Sequence, residues 1–218
     1  MDRPFRVRES STGESLAATF QSGQTYAEMV ATAASQADLF AHFRGRAVAA
    51  PEYVVRIDST GRRWHLLAVS EDWCGDSVNI LPWVDALDAD SPLVELRIIE
   101  RDQHLDLMDQ HLTNGRSRSI PIVILLDDRF VERAWWGPRA LEMQQWFETP
   151  EAQALPKESR YKELRIRYSP DRGRSILGEI TAMIESVAAQ DRAQGAAQDP
   201  AQRTSVASSD PAIVSAAP

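Results

Sequence analysis

Trp73-Cys74-Gly75-Asp76-Ser77 contains the only cysteine among 218 residues, so thiol chemistry here has one sulfur and no partner in the same chain. The preceding run, residues 63–70, reads as a short buried strand. Beyond it, from Val78 to Ala89, apolar Val78, Leu81, Val84 and Leu87 recur three apart, as one face of a helix requires. A cysteine at such a junction meets the free N–H groups and positive dipole end of a helix, both of which favour an anion. Placement of that kind lowers a thiol pKa from about 8.5 into the range of roughly 3.5–7.5. Gly75 lets the backbone turn tightly beside the sulfur. Asp72 and Asp76 act against the thiolate through like charge; the expectation is that dipole and N–H groups prevail by a modest margin. The alternative is a packed structural cysteine that happens to precede a helix.

Two segments resemble the thioredoxin superfamily. Residues 70–76, Ser-Glu-Asp-Trp-Cys-Gly-Asp, are similar to the family's Trp-Cys-Gly-x-Cys at a strand-to-helix junction. Residues 118–127, containing Ile120-Pro121 ahead of an apolar run, resemble the segment where a cis-proline opens a strand beside the active cysteine. A proline at the first residue of a strand is sterically allowed; the cis geometry is implied by the resemblance alone. Residues 107–115 and Trp136-Gly137-Pro138-Arg139 are similar to a bacterial thioredoxin-like family carrying Trp-Cys-Gly-Asp-Cys. The implied fold is α/β and thioredoxin-like, a central mixed sheet flanked by helices, with extra N-terminal and C-terminal helices.

The departure from that pattern bears on function. Dithiol exchange needs a second cysteine to resolve the mixed disulfide, and position 77 holds serine. A hydroxyl forms no disulfide, but Ser77 can donate a hydrogen bond to a Cys74 thiolate and help cap the helix. Three options remain: a monothiol cycle resolved by an external thiol such as glutathione, a sulfenate-forming sensor or peroxide scavenger, and a redox-retired binding fold. The favoured expectation is monothiol thiol–disulfide exchange with Cys74 as the nucleophile and Ser77 stabilising its thiolate as the second catalytic residue. Trp73, Gly75, Asp76, Ile120 and Pro121 would form the substrate groove. The alternative is a redox-inactive protein-binding module. Monothiol glutaredoxins have serine in the same place, but Asp76 stands where they carry an aromatic residue, and their cluster-sharing role is not carried over. No resident cofactor is expected; glutathione enters only as a co-substrate.

A net charge of −8 argues against general nucleic-acid binding. One cysteine excludes a disulfide framework and a multi-cysteine zinc site and fits a reducing compartment. No apolar stretch nears the roughly 20 residues that span a bilayer, and the first nine residues lack the apolar core of a secretory leader. The expectations are a cytoplasmic location, protein or small-molecule disulfides as partners, and no membrane or nucleic-acid partner.

Around the motif, residues 1–23 read as an ill-ordered extension, 24–189 as the domain and 190–218 as a disordered tail with little to bury. Thr25 to Phe43 reads as one amphipathic helix opened by a Thr25/Glu28 capping box. Residues 51–57 read as a strand or extended connection, 93–99 as a strand, and 102–112 as a short helix stopped by Asn114-Gly115. Ile120-Pro121 opens another strand, paired through the Asp127-Asp128 turn with 129–136, and a helix starting near Pro138 runs to Phe147. A charged connection then leads to a helix from Arg172 to Ala189. His104 and His111 can share a helix face without a third metal ligand; His65 reads as a hydrogen-bonded core residue. Glu71 and Asp72 are candidates for a general base or simply solvated loop charges. Arg116 and Arg118 would steer an anionic thiol, or form an ordinary basic loop.

Overall fold

The computed structural model describes residues 4–8 and 13–198. Its sheet has five strands: β1 (Phe5–Val7), β2 (Trp64–Ser70), β3 (Val94–Glu100), β4 (Ile122–Leu126) and β5 (Glu132–Trp136), ordered β1-β5-β4-β2-β3. β2 runs parallel to β3 and antiparallel to β4, and β5 antiparallel to β4 and β1. All seven residues of β2 are buried, as a central strand covered on both faces requires. Their alternation divides the core: Leu66 and Ala68 join one apolar cluster with Val84, Ile180 and Ile184, while Leu67 and Val69 join a second with Cys74, Ile120, Ile122 and Phe20. The cysteine thus belongs to the smaller apolar layer. This is the α/β mixed-sheet architecture expected.

Within the extension 1–23, residues 1–3 and 9–12 lie outside the described residues, and the remainder departs from the ill-ordered expectation. It supplies β1 and the helix α1 (Ala17–Ser22). Phe5 pairs with Trp136, and Phe20 is buried against His65 and Phe130, its ring centroid 5.0 and 5.3 Å from theirs. Apolar anchors at 5 and 20 outweigh the polar composition around them.

Thr25–Phe43 is not one helix. It divides into α2 (Tyr26–Thr32), which has the predicted capping box, and α3 (Ala37–Arg44). The break is captured by Asp72, whose Oδ2 accepts from the backbone N–H groups of Ala34 (2.7 Å) and Ser35 (2.9 Å). Gln36, in the left-handed region at φ 56°, donates its side-chain amide to the Asp72 carbonyl. Residues 51–58 form a helix, α4 (Pro51–Asp58), rather than a strand: Pro51 sits at the first turn, where its missing N–H costs nothing, and Tyr53 and Ile57, four apart, bury one face.

Helix α5 (Gly75–Asp90) leaves the motif directly. The helix expected over 102–112 resolves into a 3-10 turn at Arg101–Gln103, the short α6 (Leu105–Met108) and a second 3-10 turn at Asp109–His111. After α7 (Leu141–Phe147) the charged connection forms two helices, α8 (Pro150–Ala154) and α9 (Lys157–Asp171). Helix α10 (Arg174–Gln198) continues well past Ala189. Asp191, expected in the tail, pairs with buried Arg133 of β5 (2.9 Å from Nη1) and with Arg62. The rest of the proposed tail, 199–218, lies outside the described residues. Among the described residues no helix is long and apolar enough to cross a membrane.

Candidate functional site

β2 ends at Ser70, and residues 71–73 turn the chain into α5 with Cys74 as its N-cap, extended at ψ 114°. The Cys74 thiol donates to the Ile120 carbonyl at 3.3 Å. That carbonyl belongs to the Ile120–Pro121 peptide, which is cis, and Ile122 begins β4 next to β2. Two segments 46 residues apart are thereby joined at the sulfur. A second cis peptide, Gly137–Pro138, lies beside the first. Gly137 has φ 127°, and a Cβ there would stand 2.4 Å from the Pro121 carbonyl oxygen. Only glycine permits that approach.

The electrostatics of the site run against the expected thiolate. Cys74 is 7% exposed. Burial pushes its thiol up, and the nearby negative charge of Asp76 pushes the same way. The Ser77 hydroxyl and the backbone N–H groups of Ser77 and Asp76 pull it down without prevailing. Desolvation in the apolar layer therefore outweighs the helix terminus. Ser77 is wholly buried, and its hydroxyl accepts from Ser70 Oγ at 2.7 Å, leaving its own proton free to point at the sulfur.

Asp76, expected to face substrate, is turned inward and 2% exposed. Both its oxygens are taken by Arg139, through Nε at 3.0 Å and through Nη2. Burial pushes the Asp76 carboxyl up, and the guanidinium acts against it. Nη1 of Arg139 continues to Gln144 Oε1 at 2.9 Å, and the guanidinium lies 3.7 Å from the centre of the Phe147 ring. Tyr161 of α9 covers Gly75: a Cβ on that glycine would lie 3.6 Å from the Tyr161 ring. Neither Arg139 nor Tyr161 received a role from sequence reasoning. The first had a signal in Trp-Gly-Pro-Arg; the second had none, since α9 read as a linker.

Trp73 is half exposed beside the sulfur, with the Arg101 guanidinium 5.0 Å from its ring centre. Ile120 and Pro121 flank Cys74 but are buried. Glu71 accepts from the Asp102 backbone N–H, and Asp72 clamps the α2–α3 break, so both acids are structural partners of the loop. Arg118 is held by Asp109 through two bonds of 2.6 and 2.7 Å. His65 is a core residue whose Nδ1 lies 3.0 Å from the Asp127 carbonyl and whose ring stacks on Phe130. His111 is buried between the Leu107 carbonyl and Glu132. Among the described residues no group of three or more potential metal ligands converges.

A strand delivering Cys74 to a helix start, opposite a proline-led strand and a terminal hairpin, defines a thioredoxin-like protein. The chain belongs to the thioredoxin family, whose sequence model matches residues 23–155. No curated protein sequence matches the chain significantly. Among solved structures it is similar to a protein of unknown function, PA1234, from Pseudomonas aeruginosa, with 25% identity and a TM-score of 0.63 over 80% of this chain and 99% of that one. It is also similar to an HIV epitope-scaffold, with 23% identity and a TM-score of 0.58 over 79% of this chain and 99% of that one, a likeness of fold alone.

Proposed function

We propose that the chain is a monothiol thiol–disulfide exchange protein of a reducing cytoplasm, acting on protein or small-molecule disulfides with Cys74 as nucleophile. The observation that carries this reading is the sulfur's position at the head of α5, 3.3 Å from the carbonyl that precedes Pro121. A substrate backbone N–H that takes the Ile120 carbonyl displaces the thiol from it. The freed thiol gives its proton to water, and the resulting thiolate attacks one sulfur of the substrate disulfide. That S–S bond breaks, the departing thiolate takes a proton from water, and Cys74 carries a mixed disulfide. An external thiolate such as glutathione attacks the substrate-side sulfur and Cys74 leaves as thiolate. Each exchange replaces one S–S bond by another, so electrons balance without a resident cofactor. The Ser77 hydroxyl and the N–H groups of Asp76 and Ser77 receive the charge on the sulfur.

A second reading, a redox-inactive binding module that keeps the groove around Trp73 and Pro121, is favoured by the burial of Cys74 and its raised thiol pKa. Oxidised glutathione discriminates between them. Exchange predicts one adduct on folded protein by intact mass, removed by reduced glutathione over repeated cycles. If folded protein stays unmodified at pH 8 while urea-unfolded protein is labelled, exchange is wrong and the binding reading stands. Alkylation of folded Cys74 should accelerate only above the ordinary cysteine pKa of about 8.5.

A further inference from the structure

A groove of about 650 Å³ lies beside α5, walled by the end of α3 and by α9. Its volume is in the range of small-molecule sites, roughly 300–1,000 Å³. Arg46, Lys162, Arg165 and Arg172 line it, with Trp83 and Phe43 as its aromatic wall. None of the lining residues is acidic, in a chain whose net charge is −8. Among the described residues these four cations form no ion pair, whereas their neighbours Arg44 and Arg167 are paired with Asp85 and Glu163. Arg165 Nε is shielded from solvent with no hydrogen-bond partner. A buried donor left unmet is unfavourable, so a ligand acceptor is its natural complement. Arg172 is held in the left-handed region at φ 52°. The following Gly173, at φ 75°, presses on the Trp83 indole so closely that a Cβ there would stand 2.3–2.7 Å from ring atoms. The Trp83 indole is therefore packed directly against the Gly173 backbone.

We propose that this groove binds a small molecule with a flat ring and two linked phosphates, a nucleoside diphosphate in chemical class. Three guanidiniums and an ammonium suit the charge of a diphosphate, and guanidinium forks match phosphate oxygens; the aromatic wall suits a base. A polynucleotide needs an extended basic track instead of a bounded depression.

The probe is ADP, titrated calorimetrically into the full chain, with pyrophosphate and adenosine as separate arms. ADP should bind saturably at one site, about tenfold or more tighter than either fragment. Lys162→Gln and Arg165→Gln should each weaken ADP about fivefold or more with thermal melting unchanged, Lys162 being a surface residue. Cys74→Ser should bind ADP like the parent, which keeps this test independent of the exchange chemistry. Absence of saturable ADP binding, pyrophosphate as tight as ADP, or indifference of both charge variants would each overturn the assignment.

Discussion

Arg139 grips both carboxylate oxygens of Asp76 across 63 residues of sequence, inside the protein and two residues beyond the sulfur. The pair holds the first turn of α5 against the segment after the second cis peptide, and it sets a negative charge close to Cys74. Stability and thiol chemistry therefore meet in one contact.

Asp76→Asn should lower stability by about 3–5 kcal/mol, because a buried guanidinium loses its counter-charge. The same change should shift Cys74 alkylation to lower pH, since one of the two influences raising the thiol is removed. Arg139→Met should cost a similar amount without that gain in reactivity. Pairing Asp76→Asn with Arg139→Gln should regain much of the loss. Urea denaturation and alkylation rates against pH check all three.

Ser77→Cys should convert the site to a dithiol. Residues three apart on a helix lie within the roughly 4.4–6.8 Å Cα separation that a disulfide spans. Oxidation should then remove both free thiols without adding mass, and thiol counting under a glutathione redox titration should show a two-electron step. Persistence of two reactive thiols under oxidising conditions would show that the first turn cannot rotate the new sulfur toward Cys74.

Two glycine substitutions should differ in reach. Gly173→Ala strains a positive φ and drives a methyl into Trp83, costing about 2 kcal/mol or more while leaving Cys74 alkylation as it was. Gly137→Ala drives its methyl into the Pro121 carbonyl, beside the residue bonded to the sulfur. It should cost a comparable amount and also change the alkylation rate.

Asp191→Ala should destabilise by about 2 kcal/mol, below the roughly 3–5 kcal/mol of a fully broken buried pair. Asp127 remains 3.5 Å from Arg133 and keeps part of the charge balanced. Truncation after Ala189 should reproduce that loss in thermal melting, with an added loss of helix.

The central strands, the motif helix and the hairpin are legible because each carries its own pattern: a short, mostly apolar run in 64–70, apolar residues three apart in α5, and paired acids at the 127–128 turn. The α2–α3 break is not, since its cause is a carboxylate 38 residues away. Likewise α9 read as a linker because it buries only Leu164 and Tyr168 amid charged residues. The sulfur's position at a helix start is legible in the sequence, but the burial that raises its thiol is not. Local sequence shows the dipole and the neighbouring acids, but it does not show the apolar layer assembled from Leu67, Ile120 and Ile122.

Asp72 sits two residues before the sulfur and fastens the α2–α3 junction through three hydrogen bonds. A chimera that borrows its leading helices from a relative, or alters the length of the segment at 33–36, would thus slacken the very loop that carries Trp73. The amino-terminal helices are in this sense a splint for the reactive corner, and an engineer who swaps them inherits the task of setting it again.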